Sequence, residues 1–257
     1  MSARTLDPHT SIRFALPKGR MHEGVMALLT EAGIRVHADS RAYRPSINLP
    51  NYEVKMLKPQ NIVEMLHLGS RDIGFAGADW VSELDASLVE LLDTGLDPVR
   101  IVAAAPEDIL VNGKLPNSKQ WVVASEYERL TKKWISQQQL NATFVRSYGA
   151  TEVFPPEDAD CIVDNTASGA TLVANRLSII DNVMHSSTRL WANPRALEEP
   201  TRREAIEDLV LLLSAVLNAR KRVMVEVNVA PEHLGSVIAV LPCMREATVS
   251  SLHGGKG

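Results

Sequence analysis

Cysteine is scarce in this chain of 257 residues, which contains only Cys161 and Cys243. Two cysteines so far apart in the sequence exclude a disulfide framework and lack the close spacing of a zinc site. Cys161 begins the apolar run Cys161-Ile162-Val163, so we expect it to be a buried free thiol. Such a thiol is typical of proteins that work in a reducing cytosol.

Long hydrophobic runs and an excess of positive charge are also absent. The longest apolar run, residues 209–213, is far shorter than the ~20 residues that span a bilayer. The polar stretch of residues 1–10 has no signal-peptide core. The net charge is -4, which does not indicate a surface for nucleic acid. We therefore expect a cytoplasmic protein with small-molecule partners and with neither a membrane nor a nucleic acid as partner.

Strand and helix signals alternate over the first 177 residues and predict an α/β fold, with a mostly parallel sheet covered by helices. The predicted strands are 12–16, 54–57, 72–76, 100–105, 121–124, 143–145 and 161–164. The predicted helices are 21–32, 62–68, 80–84, 126–138 and 171–177.

The pattern changes near Pro200. Apolar residues at helical spacing predict one long helix over 203–220, and alternating valines predict a strand over 222–229. Pro231 begins a second predicted helix, which ends at Leu241. We expect a boundary near residues 195–220. Because the glycine-containing end of the chain holds no finished element, the C-terminal region is expected to be incomplete.

The segment with the most chemical information is 160–172. An apolar strand places Asp164 at its carboxyl end, small residues follow, and a helix begins near Thr171. Small residues let the backbone approach a ligand, and successive N–H groups at a helix start favour a phosphate. Asp164 is placed to accept hydrogen bonds from ribose hydroxyls. A turn whose small residues serve only packing explains the same spacing, so both interpretations stay open at this point.

The run Asp164-Asn165-Thr166-Ala167-Ser168-Gly169-Ala170-Thr171-Leu172 resembles a loop of the ATP phosphoribosyltransferase family that binds 5-phosphoribosyl 1-pyrophosphate (PRPP). The family typically has Asp, three variable residues, Thr-Gly, one variable residue and Thr-Leu. Ser168 replaces the usual threonine and keeps its hydroxyl. Residues 149–152 resemble the family's GxxE turn. The resemblance implies a PRPP site formed by Glu152, Asp164, Thr166, Ala167, Ser168, Gly169, Ala170, Thr171 and Leu172.

Other segments resemble the family in the same order along the chain. Residues 15–20 are similar to its opening strand and basic turn, and residues 72–79 to its DxGxxGxD segment. Lys58 stands where the family usually has arginine, and Arg41 or the nearby Arg44 where it has a substrate-facing arginine. The resemblance implies that the ATP side of the site is formed by Lys18, Arg20, Arg41, Lys58, Asp72 and Gly77. Without it, solvated charges and packing glycines would explain the same residues.

Residues 222–249 resemble the start of the regulatory domain in the long form of the family, although Cys243 and Ala247 depart from its LPGMxxPTV run. The resemblance therefore covers nearly all of residues 12–252. It implies a catalytic part with two α/β domains around a cleft, similar to periplasmic binding proteins, and a partial ferredoxin-like or ACT-like C-terminal domain. The implied divisions are 1–105 plus 180–197 for domain I, 106–179 for domain II with the PRPP loop, and 198–257 for a linker helix and the partial regulatory domain.

The resemblance also implies a reaction. Adenine N1 of ATP would attack C1 of PRPP and release pyrophosphate, giving N1-(5-phosphoribosyl)-ATP in the first step of histidine biosynthesis. Mg²⁺ is the implied cofactor, no catalytic side chain is assigned, and the implied metal ligands are unspecified. Inhibition by histidine and assembly into homodimers or homohexamers are implied as well. Two alternatives stay open: another phosphoribosyltransferase, which would share only the loop, and a solute-binding or inactive homologue, which would keep the cleft without turnover.

Overall fold

The computed structural model describes residues 11–37, 43–117, 119–241 and 248–250. The chain divides into two compact units, and the division falls between Leu217 and Asn218. Among the residues described, no helix is both long enough and apolar enough to cross a membrane.

The helices and strands follow one another as a β/α chain. The strands are β1 (Ile12–Pro17), β2 (Val36–His37), β3 (Ser46–Ile47), β4 (Tyr52–Leu57), β5 (Ile73–Gly77), β6 (Val89–Pro106), β7 (Trp121–Ser125), β8 (Ala142–Arg146), β9 (Cys161–Thr166) and β10 (Leu177–Ala192). The helices are α1 (Met21–Glu31), α2 (Pro59–His67), α3 (Ala78–Glu83), α4 (Glu128–Gln137), α5 (Ala170–Ala174), α6 (Pro200–Arg220) and α7 (Leu234–Val240).

One eight-stranded sheet organises the first unit, in the order β4-β1-β5-β10-β6-β9-β7-β8. β1 runs parallel to β4 and β5, and β7 runs parallel to β8 and β9. The long strands β6 and β10 in the middle pair antiparallel with each other and with their outer neighbours. The sheet is therefore mixed, and the prediction of a mostly parallel sheet was right for its two sides and wrong for its centre.

The two central strands, β6 and β10, divide the sheet into two halves, one with β4, β1 and β5 and the other with β9, β7 and β8. The parallel strands of the two halves run in opposite directions. β10 is antiparallel to both β5 and β6, so β5 and β6 run in the same direction, whereas β9 runs against β6. The carboxyl ends of β5 and β9 therefore point toward each other. Thr188 lies beside both Gly77 and Leu96, and Arg100 lies beside Thr166. The four-residue step from Leu96 to Arg100 separates the two carboxyl edges by roughly 13 Å.

Each half has its own core because helices cover both of its faces. In the half that contains β1, Phe14 packs with Phe75 and with residues of α1 and α6, such as Leu28 and Leu209. On the other face, Ile62 of α2 belongs to a separate cluster. The half that contains β7 and β9 also has two clusters, which include Trp121 and Trp134 in one and Ile162 and Leu172 in the other. Full burial of such side chains contributes about 1.5–3 kcal/mol each.

Most predicted elements are confirmed with small shifts of their ends. Sequence analysis missed the two-residue strands β2 and β3, the first half of β6 and the whole of β10. β10 carries a polar run around His185-Ser186-Ser187-Thr188 and several register shifts, so it lacks the clean alternation by which a strand is identified. The predicted helix over 171–177 ends earlier, at Ala174, because Arg176 takes a positive φ of 58° and Leu177 begins β10.

In the second unit the predicted strand over 222–229 is wrong. Residues 222–229 belong to no strand, and Val223 and Val225 are exposed. Alternating valines favour a strand only when a neighbouring strand supplies hydrogen bonds, and the described residues of this unit provide none. The predicted helix over 231–241 is present as a 3-10 turn, Pro231–His233, followed by α7.

Candidate active site

The phosphate loop begins where β9 ends and α5 starts. Gly169 precedes α5 with a φ of 85°, a left-handed conformation that suits glycine. Oγ1 of Thr166 accepts a hydrogen bond from the N–H of Gly169 at 2.9 Å, and Oγ of Ser168 accepts one from Ala170 at 3.3 Å. The hydroxyl oxygens thus shape the loop as acceptors, and their hydrogens stay available for donation to a ligand.

The remaining predicted loop residues differ in their accessibility. Ala167, Ser168, Ala170 and Thr171 are exposed, whereas the side chain of Leu172 lies in the core cluster below the loop. Leu172 can therefore take part in ligand binding only through its backbone.

The carboxylate of Asp164 lies at the carboxyl end of β9. Its pKa is raised to about 6, chiefly by burial and to a smaller extent by the negative charges of Glu152 and Glu126, although a hydrogen bond from the N–H of Asn165 lowers it. That hydrogen bond is 2.7 Å long. An aspartate held in this way at the mouth of a loop is a strong acceptor, and a perturbed pKa of this kind is typical of functional sites.

Glu152 reaches the same edge from a 3-10 turn, Thr151–Val153, which follows β8. The hydroxyls of Ser147 and Thr151 are hydrogen-bonded at 2.7 Å, and the N–H of Ser147 donates to the carbonyl of Ser125 at 3.1 Å. These bonds tie the ends of β7 and β8 together. The structure therefore brings Glu152 and Asp164 to one carboxyl edge, where the charge of Glu152 acts on Asp164.

Two lysines lie side by side on the opposite edge. Lys18 directly follows β1 and Lys58 directly follows β4, and Pro17 pairs with Leu57 in register. The N–H of Lys18 also donates to the carbonyl of Leu57 at 2.8 Å. Arg20 lies exposed just before α1, two residues beyond Lys18. This edge is basic, so it complements a polyanion.

Asp72 lies at the other end of these strands. It directly precedes β5, and it is 2% exposed. Its carboxylate accepts three hydrogen bonds from Arg13, from the backbone N–H, Nε and Nη2, at 2.7–3.0 Å. A guanidinium nitrogen of Arg202 in α6 lies 3.6 Å away. Asp72 therefore stabilises the junction of β1, β5 and α6, and the structure does not bring it to the edge that carries Lys18, where sequence analysis placed it.

Gly77 is required by its neighbour Asp79. A Cβ on Gly77 would collide with Oδ1 of Asp79 and would lie 3.1 Å from Cε of Met21. The glycine therefore makes room for the aspartate side chain to fold back over the end of β5. Gly77 lies on the predicted edge, beside Thr188 of β10.

Asp79 links the two halves at the base of the cleft. It is 3% exposed, and its carboxylate accepts hydrogen bonds from the hydroxyls of Tyr127 and Ser186, both at 2.7 Å. The hydroxyl of Tyr127 in turn accepts a hydrogen bond from Nδ2 of Asn165 at 3.3 Å. Trp80 stacks on the ring of Tyr127 with centroids 4.7 Å apart.

Glu83 forms a second connection between the halves. Its two carboxylate oxygens accept hydrogen bonds from the N–H groups of Arg129 and Leu130, each at 3.0 Å. These N–H groups belong to the first turn of α4, where a negative charge also interacts well with the helix dipole. A glutamate in α3 of one half thus caps a helix of the other half.

The sequence analysis missed both connections. Asp79 belongs to the segment that resembles the family, but its partner Tyr127 lies 48 residues further along the chain. The one available signal was that Asp79 follows a buried strand with two glycines. This signal places Asp79 at the carboxyl edge of the sheet but does not identify Tyr127 as its partner. Arg41 lies outside the described residues, so the structure does not place it.

An open cavity of about 440 Å³ lies beside the middle of the paired strands β6 and β10. Its lining includes Arg100, His185 and Ser186 from the central strands and Ala167 from the phosphate loop. The loop therefore borders a space large enough for a small ligand.

Comparison with known proteins decides the family. A family model described as ATP phosphoribosyltransferase matches residues 58–215, and a model of the C-terminal domain of the same family matches residues 219–257. The ATP phosphoribosyltransferase of Pelotomaculum thermopropionicum is 36% identical over 94% of this chain and 85% of its own length. That of Chlorobium chlorochromatii is 35% identical over 94% of this chain and 83% of its own length.

The chain belongs to the ATP phosphoribosyltransferase family. This confirms the predicted family and the predicted activity, the first step of histidine biosynthesis.

Solved structures agree with this family. A chain of the ATP phosphoribosyl transferase HisG:HisZ complex from Thermotoga maritima superposes with a TM-score of 0.71 and 26% identity, over 81% of this chain and 99% of that one. The periplasmic domain of Bordetella pertussis BvgS has a TM-score of 0.50 and 12% identity, over 83% of this chain and 42% of that one. The second likeness concerns the fold alone, and it confirms the predicted similarity to periplasmic binding proteins.

Proposed function

We propose that this ATP phosphoribosyltransferase joins its substrates in the cleft between the two half-sheets, with PRPP on the phosphate loop and ATP on the opposite basic edge. The observation that supports this most strongly is the opposition of two carboxyl edges across the middle of β6. Ligands of open α/β sheets bind outside the carboxyl ends of the strands. A reaction between two substrates needs two such edges that face each other.

On the PRPP side, the loop offers a phosphate the hydroxyls of Thr166, Ser168 and Thr171 together with the backbone around Gly169. Asp164 accepts hydrogen bonds from the ribose hydroxyls, and it does so most strongly when it is ionised. Glu152 lies close enough for its charge to act on Asp164, so it borders the same ribose. The two carboxylates also favour the positive charge that develops at C1 of the sugar as pyrophosphate leaves.

On the ATP side, Lys18, Arg20 and Lys58 neutralise the triphosphate. Lys58 offers a point charge in place of the bidentate contact of an arginine. Arg41 is assigned to this side only by its likeness to the family. Asp72 is left out of the proposed site because its oxygens are engaged by Arg13.

The chemistry requires positioning more than it requires a reactive side chain. Adenine N1 carries a lone pair that can attack C1 of PRPP, so the protein needs to hold the two substrates in line and keep water away. The hydroxyls and N–H groups of the phosphate loop stabilise the charge on the PRPP side, and the cationic edge stabilises the charge of the triphosphate. No nucleophile or general base is therefore assigned.

Mg²⁺ fits this site as an ion carried by the substrate. No cluster of three or more acidic, histidine or cysteine side chains that could hold a metal occurs among the described residues. Mg²⁺ is commonly bound through one or two carboxylates and substrate phosphates, and Asp164 and Glu152 supply two carboxylates at the loop. When bound, the ion neutralises the pyrophosphate and so makes it a better leaving group.

The proposal extends to the organisation and control of the chain. Domain I comprises residues 1–105 plus 180–197, domain II comprises 106–179, and residues 198–257 form a linker helix and a regulatory part. Histidine acts as an inhibitor through this last part, and the enzyme works as a cytoplasmic homodimer or homohexamer. The match of residues 219–257 to the family's C-terminal domain supports a regulatory part.

Separate binding measurements test the placement of the two substrates. Isothermal titration calorimetry with Mg²⁺ would give the Kd for ATP and for PRPP in the Ser168→Ala and Lys58→Gln variants. Loss of one hydroxyl or one charge–phosphate contact is expected to weaken binding about tenfold. Ser168→Ala should affect PRPP only, and Lys58→Gln should affect ATP only. The reverse pattern, or no change in either variant, would reject the placement.

A further inference from the structure

An aromatic ring holds one of the two lysines of the basic edge. Nζ of Lys18 lies 3.3 Å from the ring centroid of Tyr43, a geometry in which the ammonium is attracted to the face of the ring. Tyr43 is 63% exposed, so much of the ring remains open to the solvent.

Backbone hydrogen bonds fix both partners to the same strand. The N–H of Lys18 donates to the carbonyl of Leu57 at 2.8 Å, and the carbonyl of Tyr43 accepts from the N–H of Met56 at 2.9 Å. Met56 and Leu57 are consecutive residues at the end of β4. The contact therefore joins two residues whose main chains are held to the same strand.

We propose that Tyr43 is a positioning residue for Lys18 in ATP binding; this inference rests on the proposed placement of ATP at the basic edge. A lysine has four rotatable side-chain bonds and a strongly hydrated ammonium, so an unrestrained Lys18 would lose considerable freedom when it contacts a phosphate. The Tyr43 ring restricts Nζ before ATP arrives. It occupies one side of the ammonium, which leaves N–H donors on the other sides for phosphate oxygens.

The expected effect is small but specific. An exposed contact between an ammonium and a ring changes an equilibrium constant by about two- to fivefold. Tyr43→Leu, which removes the aromatic face and keeps an apolar side chain, should raise the KM for ATP by this factor. It should leave kcat and the KM for PRPP unchanged. Tyr43→Phe, which keeps the face, should behave as the wild type.

The same substitution in a Lys18→Gln background separates positioning from direct contact with ATP. If Tyr43 acts through Lys18, Tyr43→Leu has no further effect on the KM for ATP once the ammonium is gone. A further increase in that background would show that the ring contacts ATP itself and would overturn the inference. A Tyr43→Phe variant as impaired as Tyr43→Leu would also overturn it, because the hydroxyl and not the ring would then be responsible.

Two controls complete the experiment. Lys119→Gln removes an ammonium that lies 4.2 Å from the Trp121 ring, at the start of β7 and away from the basic edge, and it should not change the KM for ATP. Lys18→Gln alone tests the underlying placement of ATP. If it leaves the KM for ATP unchanged, the placement fails; if it raises the KM and Tyr43→Leu does not, only the role of Tyr43 fails.

Discussion

The hydroxyl of Tyr127 donates a 2.7 Å hydrogen bond to Oδ2 of Asp79 and so joins the two halves of the sheet at the base of the cleft. Both residues are almost fully buried. Burial and the charge of Asp79 raise the pKa of Tyr127, so the phenol stays neutral and acts as a donor over the physiological range. This bond connects the start of α3 with the residue just before α4, and the two substrates are proposed to meet above it.

Removal of this hydroxyl should destabilise the protein more than removal of the hydroxyl of Tyr52, which is half-buried. Tyr127→Phe leaves a buried carboxylate without one of its donors, which is expected to lower the free energy of unfolding by about 2 kcal/mol. Tyr52 is the control because its hydroxyl donates at 2.9 Å to an uncharged acceptor, the carbonyl of Ala205. Tyr52→Phe should lower it by about 1 kcal/mol. Urea denaturation measures both; equal losses would contradict the importance assigned to Asp79.

A side chain at Gly169 should affect PRPP binding beyond its effect on stability. The φ of 85° makes any L-residue unfavourable there, by about 1–2 kcal/mol. Gly113 is a matched control, since it has a φ of 73° and a Cβ on it would meet no atom within 4 Å. Gly169→Ala and Gly113→Ala should lower the melting temperature similarly. In calorimetry, Gly169→Ala should raise the Kd for PRPP, the bulkier Gly169→Val should abolish PRPP binding, and Gly113→Ala should leave it unchanged. Equal PRPP affinity in these three variants would rule out the loop assignment.

Asp164→Asn should stabilise the fold while it weakens PRPP binding. The pKa of Asp164 is about 6 in the folded state, above its ordinary value of 3.8, because burial disfavours the charged form. Ionisation of a carboxyl whose folded-state pKa is raised destabilises the fold as pH rises from about 4 through 6. The neutral asparagine avoids this loss of stability. At pH 8 the free energy of unfolding of the variant should therefore exceed that of the wild type by about 1–2 kcal/mol.

The pH dependence distinguishes this effect from a general improvement in packing. At pH 4 position 164 is neutral in both folded proteins, so the difference between their unfolding free energies should become much smaller. Chemical denaturation at the two pH values measures the difference. A constant advantage of the variant at both values would show that the charge of Asp164 is not the cause.

Asp72→Asn should lower the stability of the protein and leave ATP binding unchanged. Asp72 is 2% exposed and accepts hydrogen bonds from the main chain and the guanidinium of Arg13. Loss of the charge leaves the guanidinium of Arg13 without its carboxylate partner and is expected to lower the free energy of unfolding by about 2 kcal/mol. Steady-state kinetics below the unfolding temperature should give an unchanged KM for ATP. An ATP-specific increase would restore Asp72 to the site.

The sequence predicted the parts of this fold whose evidence is local. The buried strands β1, β5, β7 and β9 and the helices after them are apolar and periodic, so their existence could be inferred from neighbouring residues. β10 could not, because its buried polar residues, such as Ser186 and Thr188, form hydrogen bonds with carboxylates that are distant in the sequence, and no apolar alternation marks the strand. The strand predicted over 222–229 was wrong for a related reason. Its alternating valines are typical of a strand, but the pattern does not show whether a neighbouring strand is available to pair with it.

The candidate site was predictable where a run of adjacent residues forms it. The phosphate loop is one continuous segment, and the structure brings its hydroxyls and Asp164 to a single edge. Asp72 and Asp79 lie seven positions apart in one recognised segment, yet they lie at opposite ends of β5. Because Asp72 precedes the strand and Asp79 follows it, their order along the chain separates them. Only the resemblance to the family assigned Asp72 to the ATP side.

A turnover assay with ATP, PRPP and Mg²⁺ is the decisive test of the proposed reaction, with pyrophosphatase present and the ultraviolet absorbance of phosphoribosyl-ATP as the signal. A parallel sample should contain histidine, which we expect to suppress the rate. We expect product with the wild type and none with Gly169→Val, although that variant should still bind ATP. A folded wild-type protein that binds neither substrate and forms no product would overturn the proposed function and favour a solute-binding protein.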